Sequence, residues 1–117
     1  MTDIKRIVPG QRMSQAVAYG NLVFLAGQVA QRAAGASVTE QTKDILARID
    51  ELLAEAGSDK TKLLSATIWL TDIATFNEMN AVWDPWVAPG NTPARACVEA
   101  KLAAPQYTVE IAVVAAR

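Results

Sequence analysis

The chain has 117 residues, of which 51% are hydrophobic and 20% charged, so it can form one globular domain with its own core. This hydrophobic content excludes intrinsic disorder as the native state. Its 11 basic and 12 acidic residues leave a net charge of −1, which gives no electrostatic basis for binding nucleic acid or an anionic membrane.

The chain contains no histidine and a single cysteine, Cys97. The lack of histidine excludes Ser-His and Cys-His catalytic pairs. With one cysteine and no histidine, we do not expect a transition-metal site. A single cysteine excludes an internal disulfide and is typical of a reducing compartment. Because residues 1–6 lack the apolar run of a signal peptide and no membrane-length apolar stretch occurs, we expect a cytoplasmic protein without a membrane segment.

The first predicted elements are a β-hairpin and a helix. Residues 15–18 and 21–30 favour strands and flank a turn at Tyr19-Gly20-Asn21. Ser37 and Glu40 have the spacing of a capping box, which predicts a helix that starts there and ends at Gly57. One face of this helix is apolar and should pack on the core: Ile45, Ile49, Leu52, Leu53 and Ala56.

The second half of the chain predicts a strand, a helix and two further strands. Residues 63–70 form the strand, with β-branched and aromatic side chains at its centre. Asp72 can cap the helix, and Pro85 should kink or end it. The last strands should cover residues 94–102 and the segment after Pro105. The apolar stripe of the helix consists of Phe76, Met79, Trp83 and Val87.

The element order β(β)αβαββ indicates an α+β fold, with one sheet and two helices on one face, in a single domain over residues 1–117. Two helices cannot cover both faces of such a sheet. Since the opposite face also carries Leu, Val, Ile and Ala, we expect other subunits to bury it.

Arg95 and Glu110 are single charged residues within strongly apolar strand segments, where an unpaired buried charge costs several kcal/mol. Strand parity places Arg95 with Cys97 and Glu99, and Glu110 with Thr108. The two charges could form a structural ion pair, or Arg95 could simply reach solvent. Alternatively, Arg95 could bind the carboxylate of a small organic acid while Glu110 holds a water or moves a proton.

Four other positions each have a structural and a functional interpretation. Cys97 is better read as a small buried filler than as a nucleophile, because no His or Lys adjoins it in sequence. Gly27 could permit a bulge or let a ligand approach the backbone. Asn80 could cap or tie down a loop. The tryptophans Trp69, Trp83 and Trp86 are read as core or interface anchors.

Taken together, these residues resemble the RidA/YjgF family along nearly the whole chain. The signature is the run from Pro93 to Glu99 followed by Val109-Glu110-Ile111. The segments 57–60 and 83–87 look more like the YoaB-like branch than the archetypal deaminases. Further shared features are Ser14-Gln15-Ala16-Val17, Gly27-Gln28, Gln41, Glu55-Ala56-Gly57-Ser58, residues 67–72, Phe76 and Asn80.

The resemblance implies a chorismate-mutase-like (YjgF-like) α+β fold, with a mixed sheet and two helices on one face, assembled as a homotrimer around a central barrel. It implies three inter-subunit clefts that hydrolyse reactive 2-imino and enamino acids to 2-keto acids and ammonia without a cofactor. By position, Arg95 would hold the carboxylate and Glu110 would position or activate the water. Backbone groups at Gly27 and Cys97 would line the pocket, and Asn80 would stand at its rim.

The resemblance also exposes two departures from the archetypal pattern. Met13 takes the place of the pocket tyrosine, and Ala26 takes the place of a serine. Each loss removes a hydroxyl whose hydrogen bond to a charged group is worth about 1.5–3 kcal/mol. Carboxylate binding is therefore expected to persist more surely than efficient imine hydrolysis.

Three functions follow from these observations. The leading hypothesis is a deaminase of the 2-iminobutanoate/2-iminopropanoate type, and the second is a non-catalytic binder or sensor of small carboxylates such as 2-keto acids. The third is an RNA-acting or chaperone-like role, against which the near-neutral charge argues. The last two strands would pair as a hairpin by adjacency alone, whereas the family topology inserts the final strand beside the first core strand. The family topology is preferred, and Glu110 could then meet Arg95 of a neighbouring subunit.

Overall fold

The computed structural model describes residues 3–117. The predictions of a domain over residues 1–117 and of an N-terminus without a signal peptide include Met1 and Thr2, which lie outside the described residues. Two α-helices, α1 (Val38–Glu55) and α2 (Phe76–Trp86), lie on one mixed sheet. Short 3₁₀ turns at Lys60–Lys62 and Ile73–Thr75 precede a strand and α2 respectively. The strands are β1 Ile4–Pro9, β2 Ser14–Tyr19, β3 Leu22–Leu25, β4 Gln28–Val29, β5 Leu63–Leu70, β6 Ala94–Glu99 and β7 Val109–Ala116.

The strand order is β1-β2-β3-β7-β5-β6, and β4 also pairs with β7. Strands β5 and β6 are parallel and are joined by the crossover through α2, whereas the other pairs are antiparallel. The last strand therefore lies between β3 and β5 and makes no hairpin with β6. The inserted position expected from the family resemblance is confirmed.

The helix α1 matches its sequence prediction in both caps and core face. The Ser37 hydroxyl oxygen accepts a hydrogen bond from the Glu40 backbone N–H at 3.2 Å. At the other end Gly57 adopts a positive φ of 78°, its N–H bonds the Ala54 carbonyl, and the Ser58 N–H bonds the Leu53 carbonyl. These two hydrogen bonds form a Schellman cap. The position of Gly57 in this cap requires a positive φ, which glycine adopts without strain. The predicted core residues of α1 are all buried.

The strands differ from the prediction in three places. The prediction missed β1 because it is an edge strand in which only Ile7 is buried, so it shows no apolar alternation. The strand predicted over residues 21–30 is interrupted at Ala26 and Gly27, and β6 ends at Glu99 rather than at residue 102.

The second helix is also entered and left differently from its prediction. The Asp72 carboxylate caps the 3₁₀ turn before α2, through the Ala74 N–H at 2.9 Å, and not α2 itself. The helix stops at Trp86, one residue after Pro85, so the early end expected there is confirmed. Of its predicted stripe, Met79, Trp83 and Val87 lie in the core, whereas Phe76 is exposed.

One face of the sheet packs on the helices and the other is open. On β7, buried Val109, Ile111, Val113 and Ala115 alternate with half-buried residues, as expected for a strand with one covered face. Large apolar side chains lie on the open face, with relative exposures of 51% for Tyr19, 44% for Phe24 and 46% for Val98. No helix within residues 3–117 has the length and apolar character that crossing a membrane would require.

Candidate functional site

Arg95 lies on the edge strand β6, and its side chain is held by one face of α2. Its Nη1 donates a hydrogen bond to Asn80 Oδ1 at 2.8 Å. Its Cζ lies 5.6 Å from the centre of the Phe76 ring and 5.3 Å from that of Trp83, within cation–π range. Since Phe76, Asn80 and Trp83 are spaced i, i+4, i+7, they form one continuous stripe of the helix.

This stripe fixes the guanidinium without neutralising it. Arg95 is half-buried, and within residues 3–117 it forms no ion pair closer than 4 Å. A guanidinium carries five N–H donors, and the structure gives Arg95 a single hydrogen bond to a protein group. Donors therefore remain for a small anion.

Glu110 points to the opposite face of the sheet. Residues paired across neighbouring strands point to the same face of a sheet. Arg95 pairs with Ala66 of β5, which is buried under the helices. Glu110 pairs with Trp69 of β5, which is half-buried on the other face. Strand β5 separates β6 from β7, so two strand spacings of about 4.8 Å each also lie between the two residues. The alternative of an ion pair between Arg95 and Glu110 of one protomer is therefore wrong.

Gly27 is packed directly against the Glu110 side chain. A Cβ placed on Gly27 would lie 2.9 Å from Glu110 Cδ and 3.2 Å from its Cγ, and closer still to Oε2. Gly27 does not have the positive φ of Gly20, Gly35, Gly57 and Gly90, so backbone strain does not explain the glycine. Room for the Glu110 carboxylate does explain it.

Two glutamine amides form hydrogen bonds around the break in the strand that contains Gly27. The Gln28 Nε2 donates to Gln15 Oε1 and to the Ala26 carbonyl, each at 3.0 Å. Gln28 is buried, whereas Gln15 is half-buried. Both residues are among the features shared with the family, and their hydrogen bond joins β2 to the break before β4.

Gln41 is a structural support that the sequence analysis also left without a role. It is fully buried in α1, its Nε2 donates to the carbonyls of Ala36 and Gln106, and its Oε1 accepts from the Thr108 N–H. These bonds fasten two loops and the entry to β7, two residues before Glu110. The signal for such a role is that Gln41 lies at helical spacing from the apolar residues Val38 and Ile45, on the side of α1 that faces the core.

Cys97 lies on the same side of β6 as Arg95 and packs against the core. Burial raises the pKa of its thiol, and the nearby positive charge of Arg95 opposes this only in part. The neutral thiol is thus the favoured form, as expected for a small filler. Glu99, also on this side, accepts a hydrogen bond from the Ile73 N–H at 3.1 Å and so holds the turn before α2.

The predicted site residues therefore fall into two groups on opposite faces of the sheet. Arg95, Asn80 and Cys97 form the first, and Gly27 and Glu110 form the second. Met13 lies in the turn between β1 and β2 with a relative exposure of 53%, two residues before Gln15, which is bonded to Gln28. It is thus nearer in the chain to the second group.

A separate polar cleft of about 270 Å³ lies between the β4 region and α1. Arg32 donates to Asp44 at 2.8 Å and to Glu51 at 2.9 Å in it, and these hydrogen bonds raise the pKa of its guanidinium. Its charges are matched internally, and neither Arg95 nor Glu110 lines it. In the described part of the chain, no three His, Cys, Asp or Glu side chains come close enough to hold a metal ion.

Comparison with known proteins adds family information to this geometry. Residues 3–117 match the family model described as endoribonuclease L-PSP. A RutC family protein of Haemophilus influenzae is 44% identical over 112 residues, 96% of this chain and 97% of that protein. The RutC family protein YoaB of Escherichia coli is 42% identical over 97% of both chains. The crystal structure of a YjgF-family protein from Neisseria meningitidis superposes with a TM-score of 0.95 at 50% identity, covering 98% of this chain and 95% of that one.

Proposed function

Because the chain belongs to the RidA/YjgF family, together with its YoaB-like relatives, we propose that it hydrolyses small 2-imino acids to 2-keto acids and ammonia. Arg95 binds the substrate carboxylate, and Glu110 positions the attacking water. The observation that carries the proposal is the Arg95 guanidinium, which is held in place by α2 but keeps its charge and most of its donors free.

Arginine is suited to this task because its planar fork matches the two oxygens of a carboxylate. Holding the side chain in one orientation before the ligand arrives also lowers the entropic cost of binding. The rings of Phe76 and Trp83 and the Asn80 amide supply this order, and none of them carries a charge that competes with the ligand.

A site that uses both Arg95 and Glu110 requires two copies of the chain, because the two side chains lie on opposite faces of one sheet. The apolar open face, with Tyr19, Phe24 and Val98 exposed, supports association of copies there. We therefore place each active site in a cleft between subunits of a homotrimer. Gly27 and the Cys97 backbone line this cleft, with Met13 near it.

The chemistry proposed needs no redox step. Water adds to the C=N carbon of the protonated imine, forming a C–O bond and losing one proton. The C–N bond of the resulting aminol then breaks as its hydroxyl group loses the second proton, which releases the 2-keto acid and the nitrogen as ammonium. Glu110 can accept a proton from the water and return one to the leaving nitrogen. Orientation of the water and charge stabilisation by Arg95 provide the acceleration, so the reaction needs no bound cofactor.

The test is the decay of 2-iminobutyrate, generated in situ from the amino acid by an amino-acid oxidase. Wild type should accelerate the decay, and Arg95→Ala should return it to the buffer rate. Arg48→Ala is the matched control, because Arg48 lies on α1 in a 3.7 Å ion pair with Glu51 and should leave the rate unchanged. Wild-type decay at the buffer rate would refute the enzymatic proposal.

The second candidate is a non-catalytic binder of small carboxylates. Met13 and Ala26 favour it, because both lack the hydroxyl groups that the archetypal family members place at these positions. Saturable binding of 2-ketobutyrate by calorimetry, without imine turnover, would support this function over hydrolysis. The description of the matching family model names an endoribonuclease, but a net charge of −1 gives this chain little electrostatic attraction for RNA. RNA binding that weakens steeply with salt would support an RNA-acting role instead.

A further inference from the structure

We infer that Asn80 is a positioning residue that fixes the Arg95 guanidinium while leaving its positive charge available to the substrate. The inference rests on the proposed function, and it assigns Asn80 a place behind the arginine rather than at the rim of the pocket. Anion binding by Arg95 then depends on an uncharged side chain at position 80.

The geometry singles out the amide oxygen. Asn80 Oδ1 accepts from Arg95 Nη1 at 2.8 Å, and the hydrogen bond joins α2 to the edge strand β6 across 15 positions of the chain. Phe76 and Trp83, one turn before and one turn after, place ring carbons around the same guanidinium. Every side chain of α2 that contacts the guanidinium in these ways is uncharged.

A carboxylate at this position would hold the arginine just as well but would occupy it electrostatically. Aspartate has nearly the shape of asparagine, and its oxygen would make a shorter, charge-assisted bond to Nη1. The substrate carboxylate would then meet a neutralised guanidinium with a like charge close behind it. At a partly buried site two unit charges a few ångströms apart interact strongly enough to change binding by more than tenfold.

Two variants of Asn80 should therefore follow an unusual order of affinity. Asn80→Asp preserves shape and the bond to Arg95, whereas Asn80→Ala removes the bond but adds no charge. If Asn80 positions a charged clamp, the alanine variant should bind 2-ketobutyrate a few-fold more weakly than wild type, and the aspartate variant more than tenfold more weakly. If Asn80 were only a structural tie, the order would be reversed, because the isosteric variant keeps the tie.

The experiment measures the dissociation constant of 2-ketobutyrate by calorimetry for wild type, both Asn80 variants, Arg95→Ala and Asn77→Asp. Asn77 is exposed on the same helix and has no hydrogen bond to Arg95, so Asn77→Asp reproduces the change in net charge alone and should bind like wild type. Thermal unfolding of each variant shows that it is folded, and Asn80→Asp should melt no lower than Asn80→Ala.

The outcomes separate this inference from the proposed function. Weaker binding by Asn80→Asp than by Asn80→Ala, with Asn77→Asp unaffected, supports it. Equal binding by the two Asn80 variants, or weaker binding by Asn80→Ala, overturns the positioning role. The proposed function still stands in that case if wild type binds 2-ketobutyrate and Arg95→Ala does not. Absence of saturable binding by wild type refutes the proposed function, and the role of Asn80 falls with it.

Discussion

The substitution Gly27→Ala tests whether space beside Gly27 is what keeps the Glu110 carboxylate in place. The added methyl group would lie 2.9 Å from Glu110 Cδ and 3.2 Å from Cγ, which is well inside van der Waals contact. Because the Gly27 backbone does not need a positive φ, an alanine is compatible with the local conformation. The Glu110 side chain must move instead.

The energetic cost of that movement follows from the atoms that collide. They belong to the far half of a flexible side chain rather than to the backbone, so a change of rotamer relieves the contact at about 0.5–1.5 kcal/mol. For a domain of this size, this corresponds to a melting temperature lowered by about 4 °C per kcal/mol. If Glu110 orients the water as proposed, the loss of activity should be much larger than this, because misplacement of a reacting group by about 1 Å can cost about 100-fold.

A double-mutant cycle isolates the contact. Thermal melts are compared for wild type, Gly27→Ala, Glu110→Ala and the double variant, together with 2-iminobutyrate hydrolysis for wild type and Gly27→Ala. Once Glu110 is truncated, the methyl group has no carboxylate to displace, so Gly27→Ala should cost almost nothing in the Glu110→Ala background. The coupling free energy should therefore be about 1 kcal/mol.

Two results would contradict the reasoning about Gly27. Equal destabilisation of both backgrounds would mean that the methyl group collides with something other than Glu110. Hydrolysis by Gly27→Ala within about twofold of wild type, with the expected stability coupling, would mean that the observed carboxylate position is not the one used in the reaction.

Two further predictions concern residues that support the site. Cys97 should react with iodoacetamide more slowly than free cysteine near neutral pH, because burial raises the pKa of its thiol. Its reactivity should increase only as the pH rises beyond the usual thiol range. A reaction rate in the native protein equal to that in denaturant would contradict this. Gln41→Leu should destabilise the protein by about 3 kcal/mol, because it leaves two carbonyls and the Thr108 N–H without their partner; a denaturant midpoint equal to that of wild type would show that water replaces these bonds.

The elements whose signals are local were predictable from the sequence. The helix α1 carries its start at Ser37, its stop at Gly57 and its apolar face within one continuous segment, so nothing distant was needed to find it. The edge strand β1 was not predictable in this way, because a strand that buries only Ile7 has no alternating pattern. Similarly, adjacency in the chain favours pairing of β6 with β7, and only the family resemblance indicated the inserted position of β7.

The candidate site was predictable in its residue types but not in its contacts. Arg95 and Glu110 stand out because a charge in an apolar strand needs a reason. Their separation onto two faces depends on β7 pairing with β5, which strand parity within each segment does not reveal. The role of Asn80 was hidden for a similar reason, since it depends on the crossover that places α2 against β6.

These two surprises lead to the same physical conclusion about how the site is organised. On the helical side of the sheet, uncharged side chains of α2 hold the Arg95 cation. On the open side, Gly27 leaves room for the Glu110 carboxylate. Among residues 3–117, neither group forms an ion pair within 4 Å. If the two groups act on one substrate, as proposed, they must come from two copies of the chain, because the sheet separates them within a single copy. The proposed reaction therefore depends on assembly of the chain, which the exposed apolar side chains of the open face also favour.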